Sequence, residues 1–311
     1  MNIITLTPNP ALDIHASARG FAPYRESVAT VTSRDAGGKG VNVSRALAAH
    51  GEKSEALLLL GAESHAEFSA LLARDGVAHT LIPTAGRVRE NITLHEDGLP
   101  ETRLSFYGDA VDKDSTEHIR AVLLPLVTRD TVLSLGGSLP QGMDKAALLA
   151  LLQEAKEGGA RLVLDSSSLT KEDILSLSPH LIKPNEAEAA ALCGITPKTP
   201  REAAAAALAL REAGVTNAMI SLGAQGAVLA CGGGVFHAEA PRVTPLSTVG
   251  AGDSSIAGFL LAEARGLSGD SALACAVAFG TAACLTEGTR PPRPEDTERL
   301  LTEVSVRRVI E

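Results

Sequence analysis

The chain has no tryptophan, and aromatic residues make up only 3% of its 311 positions. An interior built on rings is excluded, so the core must come from Ala, Leu, Val and Ile, a composition that suits helices packed on a sheet. Cysteine is scarce as well. Cys193, Cys231, Cys275 and Cys284 stand far apart with no C-x-x-C pair, which leaves no zinc or redox motif and makes reduced core residues the expectation. No apolar run reaches membrane-spanning length. Met1 to Thr7 runs directly into a strand-like segment with no basic leader, so a cytoplasmic location is expected. Positive charge is in deficit, with 28 Lys and Arg against 37 Asp and Glu, a net charge of −9. Nucleic acid and anionic membrane both want a basic surface and are excluded as main partners. A phosphorylated ligand would need a local site that overcomes this background.

What the sequence does contain is alternation. Short β-like runs (Ile3–Thr5, Ala56–Leu60, Thr131–Leu135, Arg161–Asp165, Leu181–Lys183, Ala218–Leu222) alternate with amphipathic stretches. Helices are expected at Val41–Ala49, Ala66–Arg74, Lys145–Glu157, Arg201–Glu212, Asp253–Ala264 and Ala272–Cys284. The pattern predicts a doubly wound, mostly parallel α/β sheet flanked by helices. Gly51, Gly76, Gly158, Gly194, Gly214 and Gly266 fall where helix C-caps are wanted. Two stretches break the alternation, 12–34 and 89–107. In the second, polar and apolar residues alternate around Asp97-Gly98, which predicts a β-hairpin. Strands inserted into such a sheet have no place in its middle, so they are expected to form a small separate sheet that covers a site or pairs with another subunit. No linker, repeat or low-complexity tract divides residues 1–311, which therefore read as one domain.

Two glycine-containing turns open apolar helices. In Ser247-Thr-Val-Gly-Ala-Gly-Asp, the backbone N–H groups of Gly250, Ala251, Gly252 and Asp253 would point out of a helix N-terminus and could hold phosphate oxygens. An acid at that mouth is a poor phosphate ligand but is well placed to take a proton from an attacking hydroxyl. The segment fits a plain helix cap equally well. It is not a dinucleotide fingerprint: position 255 is Ser where the third glycine belongs, and Asp270 opens a helix where that motif wants a strand end. In Ala36-Gly-Gly-Lys-Gly-Val-Asn-Val, Lys39 is followed by Gly40, which rules out a Walker A loop. There Gly37 and Gly38 let a ligand approach the backbone, Lys39 offers charge and Asn42 both a donor and an acceptor. A tight turn with an exposed lysine has the same pattern.

Asp13 follows Thr7-Pro-Asn-Pro-Ala-Leu just beyond the first strand, where an open α/β sheet faces its ligand crevice. Arg89 and Asn91 begin the hairpin, and an arginine there can grip a phosphate through two N–H groups. Arg87 and Arg103 are alternatives of equal standing. In Lys183-Pro-Asn-Glu-Ala-Glu, Asn185 and Glu188 lie one turn apart, a spacing that suits water-mediated Mg²⁺ and equally a capping arrangement. Ser221-Leu-Gly-Ala-Gln-Gly reads as strand, turn and strand, able to bring backbone N–H groups to a nucleotide.

In this order, over nearly the whole chain, the segments resemble the ribokinase-like carbohydrate kinases, in particular their phosphofructokinase B branch. The signatures are Gly37-Gly-Lys-Gly-Val-Asn-Val and Ser247-Thr-Val-Gly-Ala-Gly-Asp. Within the branch, Gly136-Gly-Ser-Leu-Pro, Asp165-Ser-Ser and Lys183-Pro-Asn look like the 1-phosphofructokinases and tagatose-6-phosphate kinases, and the Gly-Lys-Gly form resembles the former most. The resemblance implies transfer of the ATP γ-phosphate to the C6 hydroxyl of fructose 1-phosphate, with tagatose 6-phosphate and fructose 6-phosphate as alternative acceptors and a non-catalytic sugar-phosphate sensor as a rival. It implies Asp253 as base, with Gly250, Ala251 and Gly252 as the anion hole. Asp13, Gly37, Gly38, Asn42, Arg89 and Asn91 would hold the phosphosugar, with Lys39 near its phosphate. Ser221, Gly223, Gly226, Thr248, Asn185 and Gly252 would serve ATP, and Asn185 and Glu188 Mg²⁺. A monovalent cation such as K⁺ would bind near Val249 and Gly288-Thr-Arg290, and the β lid would support a homodimer. Glu26, beside Arg25, stands where some relatives carry a basic residue for the substrate phosphate.

Overall fold

In the computed structural model, residues 1–310 are described except Asp97, Gly98 and Pro100, so the expected Asp97-Gly98 turn lies outside the described residues. Fourteen strands are described: β1 Asn2–Thr7, β2 Ala11–Ala18, β3 Ala29–Gly37, β4 Glu55–Gly61, β5 Ala78–Thr84, β6 Arg89–His95, β7 Thr102–Ser105, β8 Thr131–Gly136, β9 Arg161–Asp165, β10 Leu181–Ile182, β11 Asn217–Ser221, β12 Ala227–Cys231, β13 Gly234–Glu239 and β14 Ser305–Ile310. Between them run α1 Lys39–Ala49, α2 His65–Arg74, α3 Ser115–Leu123, α4 Lys145–Glu157, α5 Lys171–Leu177, α6 Glu186–Cys193, α7 Pro200–Glu212, α8 Ala251–Ala264, α9 Asp270–Ala283 and α10 Pro294–Glu303.

The main sheet has ten strands in the order β14-β13-β12-β11-β10-β9-β8-β1-β4-β5. From β11 to β5 all pairings are parallel, and β12, β13 and β14 add an antiparallel edge. Successive residues of each strand serve opposite faces. Ile4 and Leu6 pack with Ile119 of α3, Leu148 and Leu151 of α4 and Ala203 of α7. Ile3, on the opposite face of the same strand, packs with Val43 and Leu47 of α1, Ile256 of α8 and Leu273 of α9. A sheet covered on both sides explains why its strands read as continuous apolar runs such as Leu57–Leu60. Strand β5 was not legible because Pro83 interrupts its pattern; at the sheet edge a missing N–H costs no ladder bond.

The helix ends follow the local code. Capping boxes open α5 (Thr170, Asp173), α6 (Asn185, Glu188) and α7 (Thr199, Glu202). Of the six expected C-cap glycines, Gly158 has an ordinary helical φ of −69°, and the left-handed turn is made one residue later by Gly159 at 107°. Helix α8 starts at Ala251, two residues before the expected Asp253, because Gly250 takes a left-handed φ of 79° and forms the cap.

The two stretches that break the alternation pair with each other. Strands β3-β2-β6-β7 make a separate four-stranded sheet, with β2 antiparallel to β3, parallel to β6, and β6 antiparallel to β7. Val28, Val31, Leu104, Phe106 and Tyr107 on or beside its outer strands are exposed.

Candidate active site

After β1 the chain crosses to β4 on one side of it, and β8 later returns on the other. The crevice beyond the C-terminal ends of β1 and β8 is therefore the switch point where open α/β sheets bind ligands. Two helices aim their N-termini into it, α1 behind Gly38 and α8 behind Gly250. Gly37 and Gly38 are glycines for steric reasons. A Cβ on Gly37 would overlap the Asp13 carboxylate, and one on Gly38, held at φ 122°, would press on Thr7 and Pro10. Gly37 thus backs the crevice without lining it, whereas Gly38 lines it.

Two cavities meet here. The first, about 460 Å³, brings together Asp13, Lys39, Asn42, Arg89, Asn91 and Asp253, although they come from three distant parts of the chain. The second, about 800 Å³, is lined by Gly223, Gly226, Thr248 and Ala251, with apolar walls that include Ala227, Val243 and Val277. Asn185, Ser221 and Gly252 line both, so the cavities join at the mouth of α8. Both volumes fall in the range of small-molecule sites, roughly 300–1,000 Å³.

Asp253 lies at the junction, 7% exposed, in the first turn of α8. Its Oδ2 accepts a 2.8 Å hydrogen bond from Nδ2 of Asn42 on α1. Burial, and secondarily the charge of Asp165, push its pKa up to about 7, against the opposing pull of Asn42, Lys39 and Lys183. A carboxylate with that affinity for protons can accept one at neutral pH. Beside it, the Gly252 and Asp253 amides have no intrahelical acceptor, being among the first of the helix; that of Ala251 reaches Thr248 O only at 3.5 Å.

On the side of the small sheet, Asp13 of β2 accepts from Asn91 Nδ2 of β6 at 2.7 Å and from Thr289 Oγ1 at 3.3 Å. Arg89 donates to Asn9 O and to Asn91 Oδ1 at 3.3–3.4 Å. The three equivalent arginines separate: Arg103 of β7 lines the cavity 4.0 Å from Asp13, whereas Arg87 is exposed and pairs with Glu63. Neither Arg25 nor Glu26 lines it, and both are exposed.

Lys39 lines the polar cavity together with Arg89 and Arg103. Its Nζ donates to Asp165 Oδ1 at 2.8 Å and lies 3.8 Å from Glu188 Oε1. The cause is register: Lys39 is the first residue of α1, packed against the end of β8, and the neighbouring β9 ends in Asp165. Burial works to lower the Lys39 pKa, but the Asp165, Asp253 and Glu188 charges outweigh it and hold it above the ordinary lysine value.

Asn185 and Glu188 form a reciprocal cap, Asn185 Oδ1 accepting from the Glu188 amide and Glu188 Oε2 from the Asn185 amide, each at 2.9 Å. Of the remaining carboxylate oxygens, Glu188 Oε1 lies 3.8 Å from Lys39 Nζ, and the buried Asp165 Oδ2 makes no hydrogen bond and lies 3.9 Å from Lys183 Nζ; both residues line the first cavity. Asp165 and Lys183 received no role from the sequence. Lys183 is 5% exposed, 3.9 Å from Asp165, and its Nζ would lie 2.9 Å from a Cβ placed on Gly252. The signal that could have found them was position, since both close expected strands at the end that faces the crevice.

Over residues 13–296 the chain matches the pfkB family of carbohydrate kinases, and it belongs to that family. It is an ATP-dependent sugar kinase of ribokinase-like fold. It is 34% identical to the 1-phosphofructokinase of Rhodobacter capsulatus, across 99% of this chain and 98% of that one. It is 29% identical to the ATP-dependent 6-phosphofructokinase isozyme 2 of Escherichia coli, across 98% and 99%. The solved structure of phosphofructokinase-2 from Escherichia coli in complex with substrates and products superposes with a TM-score of 0.91 at 29% identity, across 97% and 99%.

Proposed function

We propose that the protein phosphorylates fructose 1-phosphate on its C6 hydroxyl with ATP, giving fructose 1,6-bisphosphate. The observation that carries the phosphoryl-transfer reading is Asp253, a buried carboxylate with pKa near 7 at the junction of a polar cavity and a larger apolar-walled one, and the likeness to the 1-phosphofructokinase of Rhodobacter capsulatus supports the choice of acceptor. In the reaction the sugar hydroxyl gives its proton to Asp253 as its oxygen attacks the γ-phosphorus, and ADP leaves. Phosphoryl transfer asks chiefly for alignment and charge stabilisation. Asp13, Asn42 and Asn91 orient the sugar, Gly38 lets it lie against the backbone, and Arg89 with Arg103 takes its phosphate. The Gly252 and Asp253 amides, with Lys183 above them, face the transferring group.

The donor set fits a hard cation. Glu188 Oε1 and Asp165 Oδ2, which makes no hydrogen bond, are carboxylate oxygens of residues lining the first cavity, so Glu188 and Asp165, with Asn185 beside them, would hold Mg²⁺ through its waters. When bound, Mg²⁺ supplies neutralisation of the triphosphate charge. A monovalent cation near Val249 and Thr289 is part of the same reading, and one relative's structure is described as a complex with potassium. The whole chain acts as one domain in which the β3-β2-β6-β7 sheet closes over the sugar and excludes water. Its exposed Val28, Val31, Phe106 and Tyr107 favour pairing with a second copy as a homodimer. No described helix is long and apolar enough to cross a membrane, in keeping with a cytoplasmic enzyme.

Fructose 6-phosphate is the second reading, because the 6-phosphofructokinase isozyme matches over nearly the full chain; tagatose 6-phosphate presents a similar shape. The test is a coupled ADP-release assay with MgATP comparing kcat/KM for the three sugars. A clear preference for fructose 1-phosphate supports the reading. Preference for another sugar keeps the mechanism and changes the substrate, and no turnover with any would sink it.

A further inference from the structure

Arg45 is the largest fully buried side chain of the protein, 2% exposed, on helix α1 one turn beyond Asn42. A buried guanidinium is costly unless its N–H groups are matched. Here they reach three separate segments. Nε donates to Asp75 Oδ2 at 2.6 Å, just past the end of α2, and Nη2 to Asp35 Oδ1 at 3.4 Å on β3. Nη1 donates to Ala36 O at 3.2 Å and to Thr289 O at 3.0 Å. The last bond matters most, because Thr289 turns its hydroxyl the other way, onto Asp13.

Asp35 and Asp13 are also directly opposite each other across the antiparallel β2/β3 ladder, both buried. Facing carboxylates on one side of a sheet repel. Arg45, helped by Arg74 at 2.8 Å, pairs with the Asp35 member and so offsets its repulsion of Asp13 across the ladder. The arginine thus fixes both the backbone behind Asp13 and its charge surroundings, while lining neither of the two cavities itself.

We propose that Arg45 is a positioning residue for the phosphosugar. Through Thr289 on one side and the Asp35–Ala36 end of the small sheet on the other, it sets the orientation of Asp13. The inference rests on Asp13 being a sugar anchor, as proposed above. A lysine cannot replace it, because a single ammonium cannot reach Asp75, Asp35 and the two carbonyls at once.

The experiment measures Arg45→Lys against wild type with the phosphosugar that wild type turns over best. Expected is a rise in phosphosugar KM of about tenfold or more, with the MgATP KM within about twofold and the circular dichroism unchanged. Both KM values unchanged, or both rising together, would overturn the proposal, since a merely structural arginine would not discriminate between the substrates. Should Arg45→Lys fail to fold, Thr289→Val and Asp75→Asn cut the same relay at either end. Each is expected to raise the phosphosugar KM selectively, and normal values in both would overturn the proposal. A wild type inactive on every phosphosugar overturns the functional reading and this inference together, whereas an active wild type with normal variants overturns this inference alone.

Discussion

Asn42 and Asp253 stand 211 positions apart, and the amide of one donates a 2.8 Å hydrogen bond to the carboxylate of the other. That bond opposes the burial that raises the Asp253 pKa to about 7. A general base works only when deprotonated, so kcat/KM should rise with pH with a midpoint near 7 and level off above it. Asn42→Ala should move that limb to higher pH. A kcat/KM independent of pH between 6 and 8 would count against Asp253 as the base.

Asp253→Asn should lower kcat by about 10²- to 10⁴-fold and leave phosphosugar binding by calorimetry nearly unchanged. It should also change the pH dependence of stability. Below the ordinary carboxyl pKa of 3.8 the group is protonated whether the chain is folded or not. Between 3.8 and about 7 the unfolded chain releases a proton that the folded protein keeps, so wild-type stability falls as pH rises through that window. The Asn variant lacks this loss. Its Tm advantage over wild type should therefore grow from pH 4 to pH 7 and then stay constant; an advantage that shrinks with pH would contradict the buried carboxylate.

Lys39 and Arg103 sit against different carboxylates, Asp165 and Asp13, and should fail differently. Lys39→Met removes a cation from Asp165 and from the surroundings of Asp253. It should lower kcat and shift its pH limb upward, with little change in phosphosugar KM. Arg103→Ala should do the reverse, raising phosphosugar KM by about one to two orders of magnitude, the scale of a lost charge-assisted hydrogen bond. Steady-state kinetics of the pair decides it, and an equal effect of both on sugar KM would return Lys39 to the substrate phosphate.

Glu188→Gln keeps an oxygen able to cap the Asn185 amide but removes the charge. Thermal stability should stay close to wild type while the Mg²⁺ concentration for half-maximal activity rises several-fold. A drop in Tm with an unchanged Mg²⁺ requirement would mean that the residue serves only as a cap.

The exposed apolar residues of the small sheet predict association. Light scattering should give twice the chain mass, and Phe106→Asp should halve it. A wild-type monomer would remove the dimer from the reading.

Much of the architecture was legible because it rests on local periodicity. The run Leu57–Leu60 read as a strand, and Asn185 with Glu188 offered the capping arrangement that opens α6. The edge strand β5 was hidden by Pro83, and the start of α8 was displaced by the left-handed turn at Gly250. At the site, residue types at fixed spacing near helix mouths and strand ends pointed to Asp13, Asn42, Arg89 and Asp253.

What the sequence by itself determined was which residue types lie on each turn, because backbone geometry links neighbours over a few positions. Which of those turns meet was decided only by the tertiary structure. The order β9-β8-β1 lays Asp165 beside Lys39, and the pairing of β7 on β6, itself paired with β2, selects Arg103 over Arg87. The pKa of Asp253 belongs to the same class, since desolvation and the fields of Asp165, Lys39 and Lys183 depend on distances through space that no spacing along the chain encodes.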